Sequence, residues 1–184
     1  LMNELKNKAI EILNANWRDG FSIPCQKLYP FQWNWDSGFI AIGFAHFDMW
    51  KAEQEISTLL DAQWANGFIP HIVFHTETDT YFPGPDFFCA ELHPDASKTY
   101  KTSGITQPPV LGFVLGEILK ISKDKKEKIE NNAYDEIIST LPDTIKLQYG
   151  KIWEEYQKQE SPESTIIHQI DKLEMVLQAK MYQK

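Results

Sequence analysis

The pattern of apolar and polar positions predicts helices along most of the chain. Apolar residues recur at helical intervals from Leu1 to Trp17, and this stretch ends near Asp19-Gly20, a natural helix stop. Ser37 to Trp50 is apolar nearly all round, which is typical of a helix buried on most sides, with a short strand pair as the alternative. An amphipathic helix follows from Ala52 to Trp64, so the two predict a helical hairpin. The polar side of the second helix carries Glu53, Glu55 and Asp61.

Loops separate this hairpin from its neighbours along the chain. Phe21 to Asn34 is irregular and contains proline, and Phe68 to Phe74 is predicted as an apolar turn or a short extended segment. Thr76 to Thr106 has no sustained period, and its many aromatic residues favour a long ordered loop. Gln107-Pro108-Pro109 opens another helix, since proline suits the first turn.

The composition changes after Lys120, where aromatic residues become sparse and charged residues crowd together. Helices are predicted from Ser122 to about Thr140 and from Thr144 to Gln159. Ser161-Pro162-Glu163 combines a capping serine, a first-turn proline and an acidic residue, which predicts the start of a last helix. The residues predicted to be buried on that helix are Ile166, Ile170, Leu173, Val176 or Leu177, and Met181.

Together these elements predict an all-α chain in two parts, residues 1–119 and residues 120–184. A formal net charge of −8 argues against binding to nucleic acid or an anionic membrane through a basic field. Cys25 and Cys89 lie far apart, without the spacing of a metal cluster. The sequence has neither a bilayer-spanning apolar run nor a basic-then-apolar start, so we expect a soluble, cytoplasmic protein.

The most informative stretch for chemistry is Tyr29 to Phe39, in which aromatic residues surround one carboxylate, Asp36. Aromatic faces suit the apolar faces of sugars, and burial among them raises the pKa of a carboxyl group, as a general acid requires. The alternative is that Trp33 and Trp35 belong to the core and that Asp36 or Ser37 caps the following helix. Both roles are compatible, because a helix N-terminus holds a side chain firmly while leaving it accessible.

Two histidines near the middle of the chain raise the question of a zinc site. His71 and His75 would share a face if they were helical, and Glu77 follows as a third candidate ligand. Pro70 and the residues between the histidines suit an extended segment, however, and the stretch lacks the glutamate of the H-E-x-x-H motif. We therefore favour a short extended segment over a zinc site.

Five motifs occur in a fixed order in the first two thirds of the chain. They are Tyr29 with Gln32 to Ser37, Gln63, Gly67 to Pro70, Tyr81 to Gly84, and Thr102 to Pro109. Over about residues 1–119 this series resembles the mannosylglycerate and glucosylglycerate hydrolases, relatives of the processing α-glucosidases of glycoside hydrolase family 63. The resemblance implies part of an (α/α)6 barrel of paired helices, which agrees with the predicted hairpin.

The same resemblance implies a reaction and a set of site residues. It implies inverting hydrolysis of an α-linked small glycoside, with Asp36 as the general acid that protonates the leaving oxygen and with no cofactor. Tyr29 and Trp35 would wall the sugar pocket, while Tyr81 and Gln107 would contact the substrate. Inversion needs a second carboxylate roughly 6.5–9.5 Å away to activate water. In the family that base lies further downstream, in a barrel half that this sequence does not contain.

The last third resembles the C-terminal half of an HD-domain metal-dependent phosphohydrolase. The resemblance is carried by Leu141-Pro142, Trp153 to Tyr156, Ser161 to Glu163 and Ile170 to Met175. In that family an aspartate at the position of Asp171 completes a divalent metal site built from His, His-Asp and Asp. The chain has no His-Asp dipeptide, and a lone carboxylate cannot hold a catalytic divalent ion. Asp171 would therefore bind metal only if another chain supplied the remaining ligands.

The chain thus resembles a composite of two helical enzymes joined between Gly116 and Ile121. The leading hypothesis is a glycoside hydrolase, or part of one, that acts on a small sugar. The alternatives are a fragment of a nucleotide phosphohydrolase and a non-catalytic sugar-binding fragment. Because an incomplete barrel exposes apolar helix faces, we expect an oligomer or a complementing chain.

Overall fold

The computed structural model describes residues 2–76 and 81–182, which are mainly helical, as the all-α prediction requires. The helices in these residues are α1 (Met2–Asn16), α2 (Asn34–Ala45), α3 (Met49–Asp61), α4 (Pro85–Phe88), α5 (Leu111–Ser139), α6 (Asp143–Lys158) and α7 (Pro162–Tyr182). The strands are β1 (Gln32–Trp33), β2 (Ile72–Phe74) and β3 (Lys101–Thr102), and a 3-10 turn spans Ala90–Leu92. The chain divides into two compact units, residues 1–126 and 127–184. In the described part of the chain, no helix is long and apolar enough to cross a bilayer.

A small antiparallel sheet adds to the helices of the first unit, with the strand order β1-β2-β3. Trp33 pairs with Ile72, and Val73 pairs with Thr102. The extended segment predicted between residues 68 and 74 is therefore present as β2. The sheet joins three loops that are distant in sequence, and β1 runs directly into α2. It thereby fixes the start of α2 from outside the helix.

The core of the first unit lies between α2, α3 and α5. Its members include Phe44 from α2, Ile56 and Leu59 from α3, and Val114 and Ile118 from α5. Helices α2 and α3 pack side by side as the predicted hairpin. By contrast, α1 has no fully buried residue, so its predicted apolar face is only partly buried.

The hairpin differs from the prediction in where its helices begin and end. The predicted helix from Ser37 to Trp50 is two elements, because α2 ends at Ala45 and α3 begins at Met49. Asp48 caps α3 by accepting a hydrogen bond from the Lys51 backbone N–H at 3.2 Å. An aspartate inside an otherwise apolar run thus starts a new helix, since its side chain satisfies a first-turn N–H group.

Helix α5 also differs from the prediction, because it is continuous from Leu111 to Ser139. The sequence predicted one helix opened by Gln107-Pro108-Pro109 and a separate helix from Ser122 to about Thr140. The charged side chains that suggested a break lie mainly on the exposed side of a single helix. Lys125 in this run donates to the Ala45 carbonyl oxygen at 2.7 Å. The division of the chain into residues 1–119 and 120–184 rests on the resemblance and stays a prediction.

The second unit contains the end of α5 together with α6 and α7. A column of stacked rings joins its helices, with centroid distances of 4.6 Å for Tyr134–Trp153, 5.4 Å for Trp153–Tyr156 and 4.1 Å for Tyr156–His168. The predicted start of α7 is confirmed, because Ser161 Oγ accepts a hydrogen bond from the Ser164 N–H at 3.1 Å.

The predicted burial on α7 is wrong for three of its residues. Ile166, Ile170 and Leu173 are mostly exposed, whereas Ser164 is buried and His168 stacks on Tyr156 of α6. The side chains of Val176, Leu177 and Met181 lie outside the described residues.

Candidate active site

The first turn of α2 carries Trp35 and Asp36 directly after strand β1. Backbone groups of the turn are held from outside the helix. The Asn34 N–H donates to the His71 carbonyl oxygen at 3.1 Å, and the Trp35 N–H donates to Gln107 Oε1 at 3.0 Å. The alternative interpretation, in which Asp36 or Ser37 caps this helix, is wrong. Trp33 occupies the capping position without a side-chain hydrogen bond, because Gln107 satisfies the first-turn N–H instead.

Asp36 is half-buried within this turn. Burial raises the pKa of its carboxyl group, while hydrogen bonds from its own backbone and from the Trp35 side chain lower it in part. The net direction is upward, so the carboxyl group keeps its proton to a higher pH than an exposed aspartate does. A carboxyl group of this kind can donate a proton, or it can accept hydrogen bonds from sugar hydroxyl groups.

Aromatic rings gather around Trp33, which directly precedes this turn. Trp33 is buried in the core, while Tyr29 and Tyr81 contact its ring edge-on at centroid distances of 5.3 and 5.5 Å. Burial and the neighbouring Tyr29 both raise the pKa of Tyr81, so its hydroxyl group stays protonated. Tyr29 and Trp35 are 46% and 43% exposed, which leaves ring surface free for a ligand. The structure thus brings the predicted tyrosines together through Trp33, a support that the sequence analysis had not assigned.

Gln107 connects the turn to a neighbouring cavity of about 310 Å³. The cavity is lined by Gln107, Asn34 and Phe68, among others. Asn34 is buried, and its Oδ1 has no hydrogen-bond partner among the described residues. Since buried polar atoms are normally paired, Asn34 Oδ1 is a candidate acceptor for a polar ligand or water. Asn34 belongs to one of the five motifs, but no role was predicted for it.

Glu55 is a buried carboxyl group near this turn that the sequence did not single out. Helical periodicity placed it on the polar side of α3, yet it is 0% exposed. Its Oε1 accepts hydrogen bonds from Ser37 Oγ at 2.5 Å and from Gln32 Nε2 at 3.2 Å. Gln32 Nε2 also donates to the Glu55 backbone carbonyl oxygen at 3.0 Å. Burial raises the pKa of Glu55 to about 7, although hydrogen bonds from Ser37, Ser22 and Gln32 oppose the rise.

The two histidines flank strand β2 and belong to the packing around the site. The His71 ring meets Trp33 edge-on at 6.4 Å, and burial lowers its pKa. His75 stacks on Phe21 at 3.8 Å, and its Nε2 lies 2.8 Å from Gln32 Oε1. Glu77, the third candidate zinc ligand, lies outside the described residues. In residues 2–76 and 81–182 no group of three or more potential metal ligands comes together.

Asp171, the candidate metal ligand of the last third, lies on α7 with an exposed side chain. The described residues gather no further ligands around it. One exposed carboxylate does not fit the ligand number that a divalent ion needs.

Paired helices with a half-buried carboxyl group in the first turn of α2 define the class, a mainly helical protein. The family model described as "Mannosylglycerate hydrolase MGH1-like glycoside hydrolase domain" matches residues 29–170. The chain belongs to this family of glycoside hydrolases. The family resemblance predicted from the motifs is confirmed, and the matched segment continues past residue 119.

Individual relatives agree with the family match. The chain is 43% identical over 125 residues to mannosylglycerate hydrolase MGH1 of Selaginella moellendorffii, covering 66% of this chain and 25% of the relative. It is 42% identical over 123 residues to the glucosylglycerate hydrolase of Mycolicibacterium hassiacum, covering 66% of this chain and 28% of that relative. The chain therefore spans about a quarter of the length of these curated relatives.

Solved structures show the same fold. A crystal structure of the GH63 mannosylglycerate hydrolase from Thermus thermophilus in complex with Tris superimposes with a TM-score of 0.59 at 41% identity, over 71% of this chain and 30% of that chain. A crystal structure of the same enzyme in complex with glucose gives a TM-score of 0.51, again at 41% identity and over 71% of this chain and 30% of that chain. The helical hairpin fold is therefore that of these glycoside hydrolases.

The second predicted resemblance is also present. The chain is 34% identical over 73 residues to the human 5'-deoxynucleotidase HDDC2, covering 38% of this chain and 36% of that protein. This similarity lies in the C-terminal part of the chain.

Proposed function

We propose that this chain forms part of the sugar site of a glycoside hydrolase. The enzyme hydrolyses an α-linked small glycoside, such as mannosylglycerate or glucosylglycerate, with inversion of the anomeric configuration. The observation that supports this most directly is Asp36, a half-buried carboxyl group with a raised pKa beside the exposed ring of Trp35. The names of the relatives, mannosylglycerate hydrolase and glucosylglycerate hydrolase, support the substrate class.

Each site residue has a role that follows from its surroundings. Asp36 acts as the general acid and protonates the leaving oxygen, because its raised pKa retains the proton. Tyr29 and Trp35 present ring faces to the sugar, and Tyr81 donates from its protonated hydroxyl group. Gln107 Oε1 is occupied by the Trp35 N–H, so its NH2 group is the part left to donate to a sugar hydroxyl.

The second carboxylate of an inverting reaction is not assigned among the described residues. This chain spans about a quarter of the length of its curated relatives, so we place the general base in the remaining part of the enzyme. Protonation and sugar contacts belong to this chain, and activation of water belongs to that other part.

Hydrolysis assays on mannosylglycerate, glucosylglycerate and short α-glucosides test the proposal, with this chain combined with the part of the enzyme that supplies the general base. Asp36→Asn should lower kcat by about a hundredfold or more, the usual contribution of a positioned general acid. Asp61→Asn, which changes an exposed aspartate at the end of α3, is the matched control and should leave kcat unchanged. Equal activity of the wild type and Asp36→Asn would remove Asp36 from the mechanism.

A glycosyl fluoride separates an acid from a hydrogen-bond acceptor at Asp36. Fluoride leaves without protonation, so the deficit of Asp36→Asn should shrink on this substrate if Asp36 is the acid. An undiminished deficit would make Asp36 a sugar-binding carboxylate. Calorimetric binding of sugar without turnover would favour the sugar-binding fragment, and a chain that neither binds nor hydrolyses glycosides contradicts the proposal.

The similarity to a 5'-deoxynucleotidase supports a second candidate, a metal-dependent phosphohydrolase fragment whose missing ligands come from another chain. Mass spectrometry of the purified protein, followed by phosphatase assays with added Mn²⁺ or Co²⁺, tests it. Absence of a copurified divalent ion together with absence of phosphatase activity would rule this candidate out.

A further inference from the structure

A cluster of buried polar side chains lies where α2, α3 and β1 meet, and the proposed reaction does not use it. The cluster consists of Ser22, Gln32, Ser37 and Glu55, each almost fully buried. Burying a carboxyl group is costly unless its hydrogen bonds are made, so a buried glutamate needs a reason. Its bonds go to Ser37 and Gln32, at 2.5 and 3.2 Å from Oε1.

The positions of these two partners along the chain are informative. Gln32 lies in β1, just before the turn that presents Trp35 and Asp36, and Ser37 follows Asp36 directly. Glu55 therefore binds the chain on both sides of the two residues assigned to the sugar. Gln32 Oε1 continues the network to His75 Nε2 at 2.8 Å. Because burial lowers the pKa of His75 to about 4, the ring is neutral near pH 7 and donates from Nε2 to Gln32.

We propose that Glu55 is a positioning residue for the sugar site, which fixes the first turn of α2 through Ser37 and Gln32. A contribution of Glu55 to catalysis rests on the proposed function. The stabilisation of the first turn of α2 by Glu55 is independent of that function. Glu55 acts on Asp36 indirectly, through the backbone of the turn that Ser37 and Gln32 hold in place. It is therefore expected to act on the geometry of the site without touching the substrate.

The state of the Glu55 proton should change how firmly the turn is held. Glu55 Oε2 and Ser22 Oγ are both buried, and Ser22 lies close enough to the carboxyl group to lower its pKa. In the protonated carboxyl group, an Oε2–H could donate to Ser22, whereas the ionised form leaves a charge in a site closed to water. The Glu55 pKa is about 7, so ionisation above this pH should favour local opening that hydrates the carboxylate.

Other titratable groups face the same region and must be separated from Glu55. They are Asp36 beside Ser37, His75 beside Gln32, and His71 beside Trp33. No charged neighbour contributes to the Glu55 shift among the described residues, since burial and hydrogen bonds account for it. A variant that changes Glu55 alone keeps all three other groups, so the ratio of wild type to variant isolates the Glu55 proton.

Amide hydrogen exchange of the full chain, followed on the peptide covering residues 34–41, tests the proposal. Glu55→Ala should raise local opening of this peptide by about tenfold or more, because it leaves buried donors unpaired. Glu55→Gln keeps an acceptor at the same place and should restore protection. Glu53→Gln changes the exposed glutamate on the same helix and is the matched control, with no expected change.

The pH dependence supplies a readout that loss of stability alone would not change. The ratio of opening in the wild type to opening in Glu55→Gln should rise more than about tenfold between pH 5 and pH 8. A constant ratio, or a rise in exchange spread evenly over residues 2–76 in Glu55→Ala, would overturn the proposal. Calorimetric titration with a glycoside tests the proposed function separately. If the wild type binds no sugar, the proposed function fails, but the hydrogen-exchange experiment still shows whether Glu55 holds the turn.

Discussion

At the scale of single residues, two carboxyl groups that are near in the fold have different surroundings. Asp36 is half-buried beside exposed aromatic rings, whereas Glu55 is enclosed by Ser37, Gln32 and Ser22. Burial raises both pKa values, and the fully enclosed Glu55 reaches about 7. We propose that Asp36 meets a ligand and that Glu55 holds the turn that carries Asp36.

The enclosed glutamate predicts how stability depends on pH. The folded-state pKa of Glu55 is raised from 4.5 to about 7, so its contribution is fully present below pH 4.5 and is lost as the pH rises through 7. We expect the free energy of unfolding of Glu55→Gln, relative to the wild type, to increase by about 3 kcal/mol between pH 4.5 and pH 8. Urea titrations across this range measure it.

The free energy of unfolding must be compared between Glu55→Gln and the wild type at each pH, because the contribution of His75 changes with pH in the opposite direction. Its pKa is lowered by burial to about 4, so its contribution to stability is lost as the pH falls from 6.5 toward 4. Both proteins carry His75, and the difference between them cancels its effect. A difference that does not vary with pH would show that Glu55 titrates like an exposed glutamate.

At the scale of elements, the contact between α2 and α5 is unusually close at Gly38. A Cβ atom at this position would lie 2.9 Å from Val114 Cγ2 and 3.6 Å from Val110 Cγ2. Val114 is fully buried, so its side chain has little room to move. The glycine therefore allows α5 to approach the helix that carries Asp36.

Replacing this glycine should weaken the packing. We expect Gly38→Ala to lower the free energy of unfolding by about 1 kcal/mol, since overpacking costs more than the helix propensity of alanine returns. Gly116→Ala is the matched control within α5, where a Cβ would meet nothing within 4 Å. That variant should gain about 0.5–1 kcal/mol in the same urea titration. Equal gains in both variants would contradict the close approach.

At the scale of the whole molecule, the two compact units differ in how much they bury. The first unit contains clusters around Phe44, Trp33 and Trp64, whereas Ser164 is the one fully buried residue among the described residues of 127–184. The second unit relies on stacked rings, and many of its isoleucines are exposed. The expected oligomer or complementing chain stays a prediction. The exposed isoleucines of the second unit are the surface that such a partner would cover.

This contrast predicts a difference in protection from hydrogen exchange. Amides in α6 and α7 should exchange at least about tenfold faster than those in α2 and α3, because opening exposes less apolar surface there. Peptide-resolved exchange on the full chain measures both sets in one experiment. Equal protection of the two sets would show that the second unit is covered or stabilised in some further way.

Much of the helical framework could be predicted from local sequence. The hairpin of α2 and α3 follows from apolar periodicity, and the start of α7 follows from Ser161 and Pro162. The break between α2 and α3 does not follow from periodicity, because Asp48 lies within an otherwise apolar run and its capping role depends on its hydrogen bond to Lys51. The predicted break near Ser122 is absent, since a change in charge need not interrupt a helix.

The sequence by itself determined the family, the helical class and the stretch that carries Asp36, because these depend on residue types and on spacing along one segment. Only the tertiary structure decided that Glu55 is buried and that Gln107 holds the turn of Trp35. The periodicity of a helix shows which side is polar, but it does not show what covers that side. In this fold β1 and the loop containing Ser22 cover Glu55, and both come from elsewhere in the chain.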